Sequence, residues 1–143
     1  MATLNRLAEP GASIIGHRGS PAHTTENTAE GFRLARDQGA DGVELDVRRA
    51  VDGRLLAAHD PLPTEPGALD ALAVPTLAEV LDACGDRMLV NVEIKNGEAN
   101  RPTDPSMAVF DATLDAPATP LDADALVELM FAEQGASLVR LAR

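Results

Sequence analysis

The sequence predicts an α/β fold built from parallel βαβ units. Short β-branched segments alternate with segments that carry helix-start signals, and strands separated by helices form parallel pairs with right-handed crossovers. Leu89 to Val92 is nearly continuous apolar, as expected of a strand covered on both faces. The residues that carry chemistry fall near the C-terminal ends of the predicted strands, the edge at which parallel α/β folds bind ligands.

Residues 1–12 are polar and broken by Pro10 and Gly11, and read as a lead-in. Ser13-Ile14-Ile15-Gly16 reads as a first strand, ending in the loop His17-Arg18-Gly19-Ser20-Pro21. Asn27-Thr28-Ala29-Glu30 has the form of a capping box, with Asn27 as N-cap and Glu30 reaching back. The helix it starts runs through Phe32, Leu34 and Ala35, with Gly39 placed as its C′ residue. The second strand, 42–48, contains Val43-Glu44-Leu45-Asp46-Val47, a period-two alternation that puts Glu44 and Asp46 on one face. Val51-Asp52-Gly53 signals a hairpin turn, and Leu55 to Ala58 is the returning strand, ending at His59-Asp60-Pro61.

Residues 61–75 hold Pro61, Pro63, Pro66, Gly67 and Pro75, and read as an excursion. Thr76-Leu77-Ala78-Glu79 is a second capping box, opening a helix to about Ala83 with Gly85 after it. Met88 to Lys95 is the third core strand, with Asn91, Glu93 and Lys95 on one face. A helix capped by Thr103 or Asp104 is expected over 105–114, and a last helix over 122–133 with Gly135 at its end. Ser137 to Leu141 fits either a strand or a frayed end.

A chain of 143 residues is enough for one ordinary domain. Aromatic content is 2%, confined to Phe32, Phe110 and Phe131, so the core must be built from Leu, Val, Ile and Ala. That scarcity argues against a base-stacking surface, and a net charge of −11 argues against a nucleic-acid backbone binder. An acidic chain can still take a phosphorylated substrate when a metal and a few local cations offset its field. Cys84 is the only cysteine, so no intrachain disulfide and no thiolate metal cluster can form. No apolar run reaches signal-peptide or membrane-span length, and no internal repeat is visible. A soluble, cytoplasmic protein is expected.

Taken singly, each polar residue has an ordinary explanation: a loop histidine, an acidic strand face, a surface cation. His23 has no evident partner and reads as surface. Together they form a coherent set. Glu44, Asp46 and Glu93 can hold one oxygen-ligated divalent cation. Arg18 and Lys95 can neutralise a phosphate, Arg through its fork and Lys as a point charge. His17 and His59 can serve as general acid and general base near neutral pH. Metal, cations and paired histidines are what phosphodiester hydrolysis needs.

The motifs His17-Arg18-Gly19, Glu26-Asn27-Thr28, Gly39 to Val47, Asp52-Gly53, His59-Asp60 and Val92-Glu93-Ile94-Lys95 occur in one order with sensible gaps. In this the chain resembles the glycerophosphodiester phosphodiesterase family over roughly residues 13–97. The family's usual proline before Glu-Asn-Thr is Thr25 here. The resemblance implies a TIM-type (β/α) barrel with its site at the C-terminal face. It implies Glu44, Asp46 and Glu93 as ligands for Mg²⁺ or Ca²⁺, His17 and His59 as the acid–base pair, Arg18 and Lys95 on the substrate phosphate, and Glu26 as a supporting residue. Asn27 is read first as a helix cap. The implied reaction is hydrolysis of a glycerophosphodiester to glycerol 3-phosphate and an alcohol, in which a neighbouring glycerol hydroxyl can attack first.

A full barrel of this type takes about 250 residues. The family's later motifs, a Ser-Phe strand end, a His-Pro segment and a Trp-Thr strand, have no counterpart here. The expected architecture is therefore about half a barrel over 13–116, followed by a tail over 117–143 read as helical. Open barrel edges imply self-association. The expected partner is a small phosphodiester, with no nucleic acid and no membrane span. Three other readings fit the same residues: a phospholipase C- or D-like enzyme on the same barrel, a truncated non-catalytic fragment that binds metal or phosphate, and an acidic structural or interaction module.

Overall fold

A computed structural model of the protein describes residues 12–65, 67–85, 88–95 and 112, and the backbone of the strands at 126–130 and 137–141. The elements are β1 (Ile15–His17), α1 (Ala29–Asp37), β2 (Gly42–Arg49), β3 (Leu55–Ala57), α2 (Leu77–Cys84), β4 (Leu89–Ile94), β5 (Leu126–Met130) and β6 (Ser137–Leu141).

β2 is the centre of a four-stranded sheet. β1 and β4 pair with it in parallel, and β3 returns antiparallel after the Asp-Gly turn. Val47 is partnered by both Ile94 of β4 and Ala57 of β3. β3 therefore lies on the same edge of β2 as β1, picking up where the shorter β1 has ended. The expected βαβ order is present, and β2 is an interior strand.

Alternation along β2 and β4 splits their residues between two faces. Val43, Leu45 and Val47 are opposite Val90, Val92 and Ile94. All six are buried, in one core with Phe32 and Ala35 of α1 and Leu77, Val80, Ala83 and Cys84 of α2. Each large aliphatic side chain withdrawn this fully from water contributes on the order of 1.5–3 kcal/mol. A second, smaller cluster joins Ala50 and Leu56 to Leu62 and Leu69, so the proline-rich excursion is anchored by two leucines.

α2 starts as the sequence predicts: Thr76 accepts from Glu79 N, and the Glu79 side chain accepts from Thr76 N. α1 starts one residue later than expected. Its N-cap is Thr28, whose side chain accepts from Gly31 N, and Asn27 lies outside the helix with φ +54°. Asn27 is drawn away from capping because its side chain serves a buried carboxylate, described below. Gly39 follows the C-cap Gln38 with φ +86°, as expected.

The C-terminal expectation is corrected. Residues 126–130 are a strand within the span read as a helix, and pair antiparallel with 137–141 from Leu126↔Leu141 to Met130↔Ser137. Leu126, Leu129 and Met130 have helical spacing, but cross-strand pairing with a second apolar segment decides the outcome. β5 lies beside β4. The helix expected over 105–114 falls outside the described residues except for Ala112, which is helical. No helix among the described residues is long and apolar enough to cross a membrane.

Candidate metal and phosphodiester site

Register builds the site. His17 is the cross-strand partner of Glu44, and Asp46 is the partner of Glu93. All four lie on the sheet face turned away from the helices, because their neighbours Val43, Leu45, Val47, Val92 and Ile94 occupy the helix side. Lys95 follows β4 on the same face, and its N–H donates to Val47 O at 2.9 Å. Oxygens of Glu44, Asp46 and Glu93 come within 4.8 Å of one another.

Asp46 is the hub and is fully buried. Asn27 Nδ2 donates to its Oδ2 at 3.1 Å. Arg18 Nε sits 3.0 Å from Oδ2, and Lys95 Nζ sits 3.1 Å from Oδ1. Lys95 Nζ also donates to Glu93 Oε1. Burial alone would raise the Asp46 pKa, but Asn27, Lys95 and Arg18 outweigh it and hold the carboxyl below its ordinary value. Glu44 goes the other way: burial, then the neighbouring Asp46 charge, raise it. Lys95 is pushed down by burial but raised overall by Glu93 and Asp46.

Two backbone kinks make this possible. Arg18 and Asn27 have φ of +55° and +54°, and are the non-glycine residues with positive φ among those described. Such conformations cost of order 1–3 kcal/mol and persist where surrounding contacts over-determine them. Here they do. Asn27 N donates to Arg18 O at 3.0 Å, Arg18 N donates to Glu44 O at 2.9 Å, and both side chains converge on Asp46. Gly16 permits the sharp exit from β1, since a Cβ there would lie 2.4 Å from the Gly19 carbonyl oxygen.

Arg18 Nη1 reaches both carboxylate oxygens of Glu26 at 3.1 Å. Nη1 is thus hydrogen-bonded to Glu26 and Nε is ion-paired with Asp46, while no hydrogen bond of Nη2 is found among the described residues. His17 is mostly exposed, with Nε2 3.8 Å from Glu44 Oε2. His59 follows β3, where the Ala58 N–H donates to Asp46 O at 3.1 Å. Its Nδ1 lies 3.0 Å from Asp60 Oδ1, and among the described residues no hydrogen bond or ion pair joins its ring to the carboxylate cluster. Seven of the eight residues singled out in the sequence are thus linked by these contacts, and His59 is joined to them only through the backbone bond of Ala58 to Asp46.

Asn27 is the residue that sequence reasoning assigned to another task. Its amide both donates to Asp46 Oδ2 and accepts from Asp46 N at 3.4 Å. The available signal was its place between Glu26 and Thr28, where two consecutive good N-caps leave one of them free for other work.

The donor set fits a hard divalent cation. Glu44 Oε1 and Asp46 Oδ1 are buried oxygens that accept no hydrogen bond among the described residues. Lys95 Nζ, 3.1 Å away, is the positive charge beside Asp46 Oδ1 among the described residues. Glu26, Glu44, Asp46 and Glu93 stand against Arg18 and Lys95, leaving the cluster net negative.

Residues 17–65 match the model of the Glycerophosphoryl diester phosphodiesterase family. A glycerophosphodiester phosphodiesterase of Caldanaerobacter subterraneus is 36% identical over 110 residues, covering 59% of this chain and 45% of that protein. A crystal structure of a glycerophosphodiester phosphodiesterase from Thermotoga maritima is 31% identical with a TM-score of 0.57, over 74% of this chain and 50% of that one. A second, from Agrobacterium tumefaciens, is 25% identical with a TM-score of 0.62, over 87% and 61%. The chain spans about half the length of these relatives. The family likeness seen in the motifs is present in its N-terminal part.

Proposed function

We propose, starting from that glycerophosphoryl diester phosphodiesterase likeness, that the chain encodes a metal-dependent site for hydrolysing glycerophosphodiesters to glycerol 3-phosphate and an alcohol. The observation that carries the reading is the meeting of Glu44, Asp46 and Glu93 oxygens within 4.8 Å, beside His17 and between two cations. In this reading the three carboxylates hold Mg²⁺ or Ca²⁺. When bound, the cation supplies charge neutralisation at the phosphoryl oxygens.

The chain's own groups do the rest. Arg18 Nη2 and the remaining Lys95 N–H groups bind the phosphate oxygens. Glu26 holds the Arg18 plane for that task. One of His17 and His59 accepts the proton of the attacking hydroxyl, from water or from the substrate's neighbouring glycerol hydroxyl. The other donates a proton to the leaving alkoxide as the phosphorus–oxygen bond breaks. The four-stranded sheet is read as part of a TIM-type barrel. Ile14 and Ile15, 65% and 38% exposed at the β1 edge, favour self-association, which sedimentation against concentration would detect.

The test is turnover of glycerophosphocholine by folded full-length chain with Mg²⁺ or Ca²⁺, with and without chelator. Chelator-sensitive release of glycerol 3-phosphate is expected. One second reading has a specific observation behind it: among the described residues no hydrogen bond or ion pair joins His59 to the carboxylate cluster, which favours a site that binds metal without turning substrate over. A metal-dependent rise in Tm with no product would support that reading and sink the enzyme.

A further inference from the structure

Arg48 continues the charged face of β2 two residues beyond Asp46, with Leu56 of β3 as its cross-strand partner. Its side chain is folded onto the loop after β3. Nε and Nη2 both donate to the backbone carbonyl of His59, at 2.8 and 2.5 Å. A guanidinium fork closed on one carbonyl oxygen is a charge-assisted, oriented contact. The same segment is held at a second point, Ala58 N–H on Asp46 O at 3.1 Å, and His59 Nδ1 lies beside the exposed carboxylate of its neighbour Asp60. With the backbone pinned by Arg48 and Nδ1 beside Asp60, Nε2 has no hydrogen bond among the described residues and is the ring nitrogen that can face a ligand. The neighbouring Arg49 is exposed, so the two consecutive arginines are unequal.

We propose that Arg48 is a positioning residue for His59: its fork on the His59 carbonyl fixes the imidazole relative to the Glu44–Asp46–Glu93 cluster. The proposal rests on the phosphodiesterase reading above. Lysine at this position retains the charge and one bond but not the fork, and methionine retains volume alone.

The test compares wild type, Arg48→Lys and Arg48→Met as full chains. It reads glycerophosphocholine kcat and KM, the Mg²⁺-induced rise in Tm, and hydrogen exchange of the Ala58 amide against amides of β2 and β4. Arg48→Met should lower kcat roughly 10- to 100-fold, because small misplacements of a reacting group cost that much. KM and the Mg²⁺-induced Tm rise should change less than about twofold, since neither depends on His59 geometry. Arg48→Lys should recover part of kcat, and Ala58 exchange should quicken in Arg48→Met alone of the sheet amides. Wild-type kcat and wild-type Ala58 exchange in Arg48→Met would overturn the proposal. So would equal loss of kcat and of the Mg²⁺ effect with faster exchange across the sheet, which would make Arg48 a general structural residue. Absence of wild-type turnover would defeat the phosphodiesterase reading separately. The Ala58 exchange then decides the clamp by itself: faster supports it, unchanged overturns it.

Discussion

The two faces of β2 divide one eight-residue strand between them and obey opposite rules. On the helix side, Val43, Leu45 and Val47 are fully buried against other aliphatic side chains, and their contribution comes from area withdrawn from water. On the other side Asp46 is equally buried, yet its carboxylate is held by the amide of Asn27 and the charges of Arg18 and Lys95. The first face tolerates any well-shaped apolar residue. The second face is a network of charges, net negative, in which removing Asp46 takes a shared partner from Arg18 and Lys95. Burial by itself therefore says little about what a position does.

Mutation should separate the faces. The largest effect is expected for Asp46→Ala, which leaves Arg18, Lys95 and Asn27 without their shared partner. Breaking a buried ion network of this kind costs about 3–5 kcal/mol, and urea unfolding should register that loss along with loss of any Mg²⁺-induced stabilisation. Leu45→Ala, one residue away, should cost about 2–5 kcal/mol through the cavity it opens. Its Mg²⁺-induced rise in Tm should survive, and disappearance of that rise would erase the distinction between the faces.

Further from the charges, Thr76→Ala removes a capping box and should cost about 1 kcal/mol with no change in metal response. Glu44→Gln should act mainly on pH dependence. The folded-state pKa of Glu44 is raised, so its contribution to metal-free stability is present below its ordinary value and is lost as pH rises through the raised value. Asp46, held low, contributes in the opposite sense: its stabilisation is present above the ordinary value and is lost as pH falls through the lowered one. Stability measured against pH in wild type and Glu44→Gln, both without metal, isolates the first slope. Equal slopes would show that Glu44 is not desolvated as described. The smallest expected effect is none: Cys84, buried and with its thiol pushed up to about 12, should resist alkylation until the helix layer opens.

Much of this was legible in the sequence for local reasons. Alternation over Val43 to Val47 sets which residues share a face, and the Asp52-Gly53 turn, the Thr76–Glu79 box and Gly39 each act within a few residues of themselves. What escaped was decided by partners far along the chain. Asn27 and Thr28 are both good caps, and the choice between them is made by a carboxylate 19 residues on. Leu126, Leu129 and Met130 are spaced for a helix, and become a strand because 137–141 lies opposite. Arg48 sits in a position that alternation marks only as charged-face, and its bond to the His59 carbonyl exists only once the hairpin has closed.

The paired left-handed conformations at Arg18 and Asn27 carry a consequence for laboratory evolution. Glycine would satisfy both backbones without strain, so selection for thermal tolerance alone should reward Gly at these positions whenever the charge cluster is compensated elsewhere. Selection that also demands ion uptake should hold both side chains fixed. Sequencing the survivors of two such regimes would turn a torsion angle into a record of what the fold is retained for.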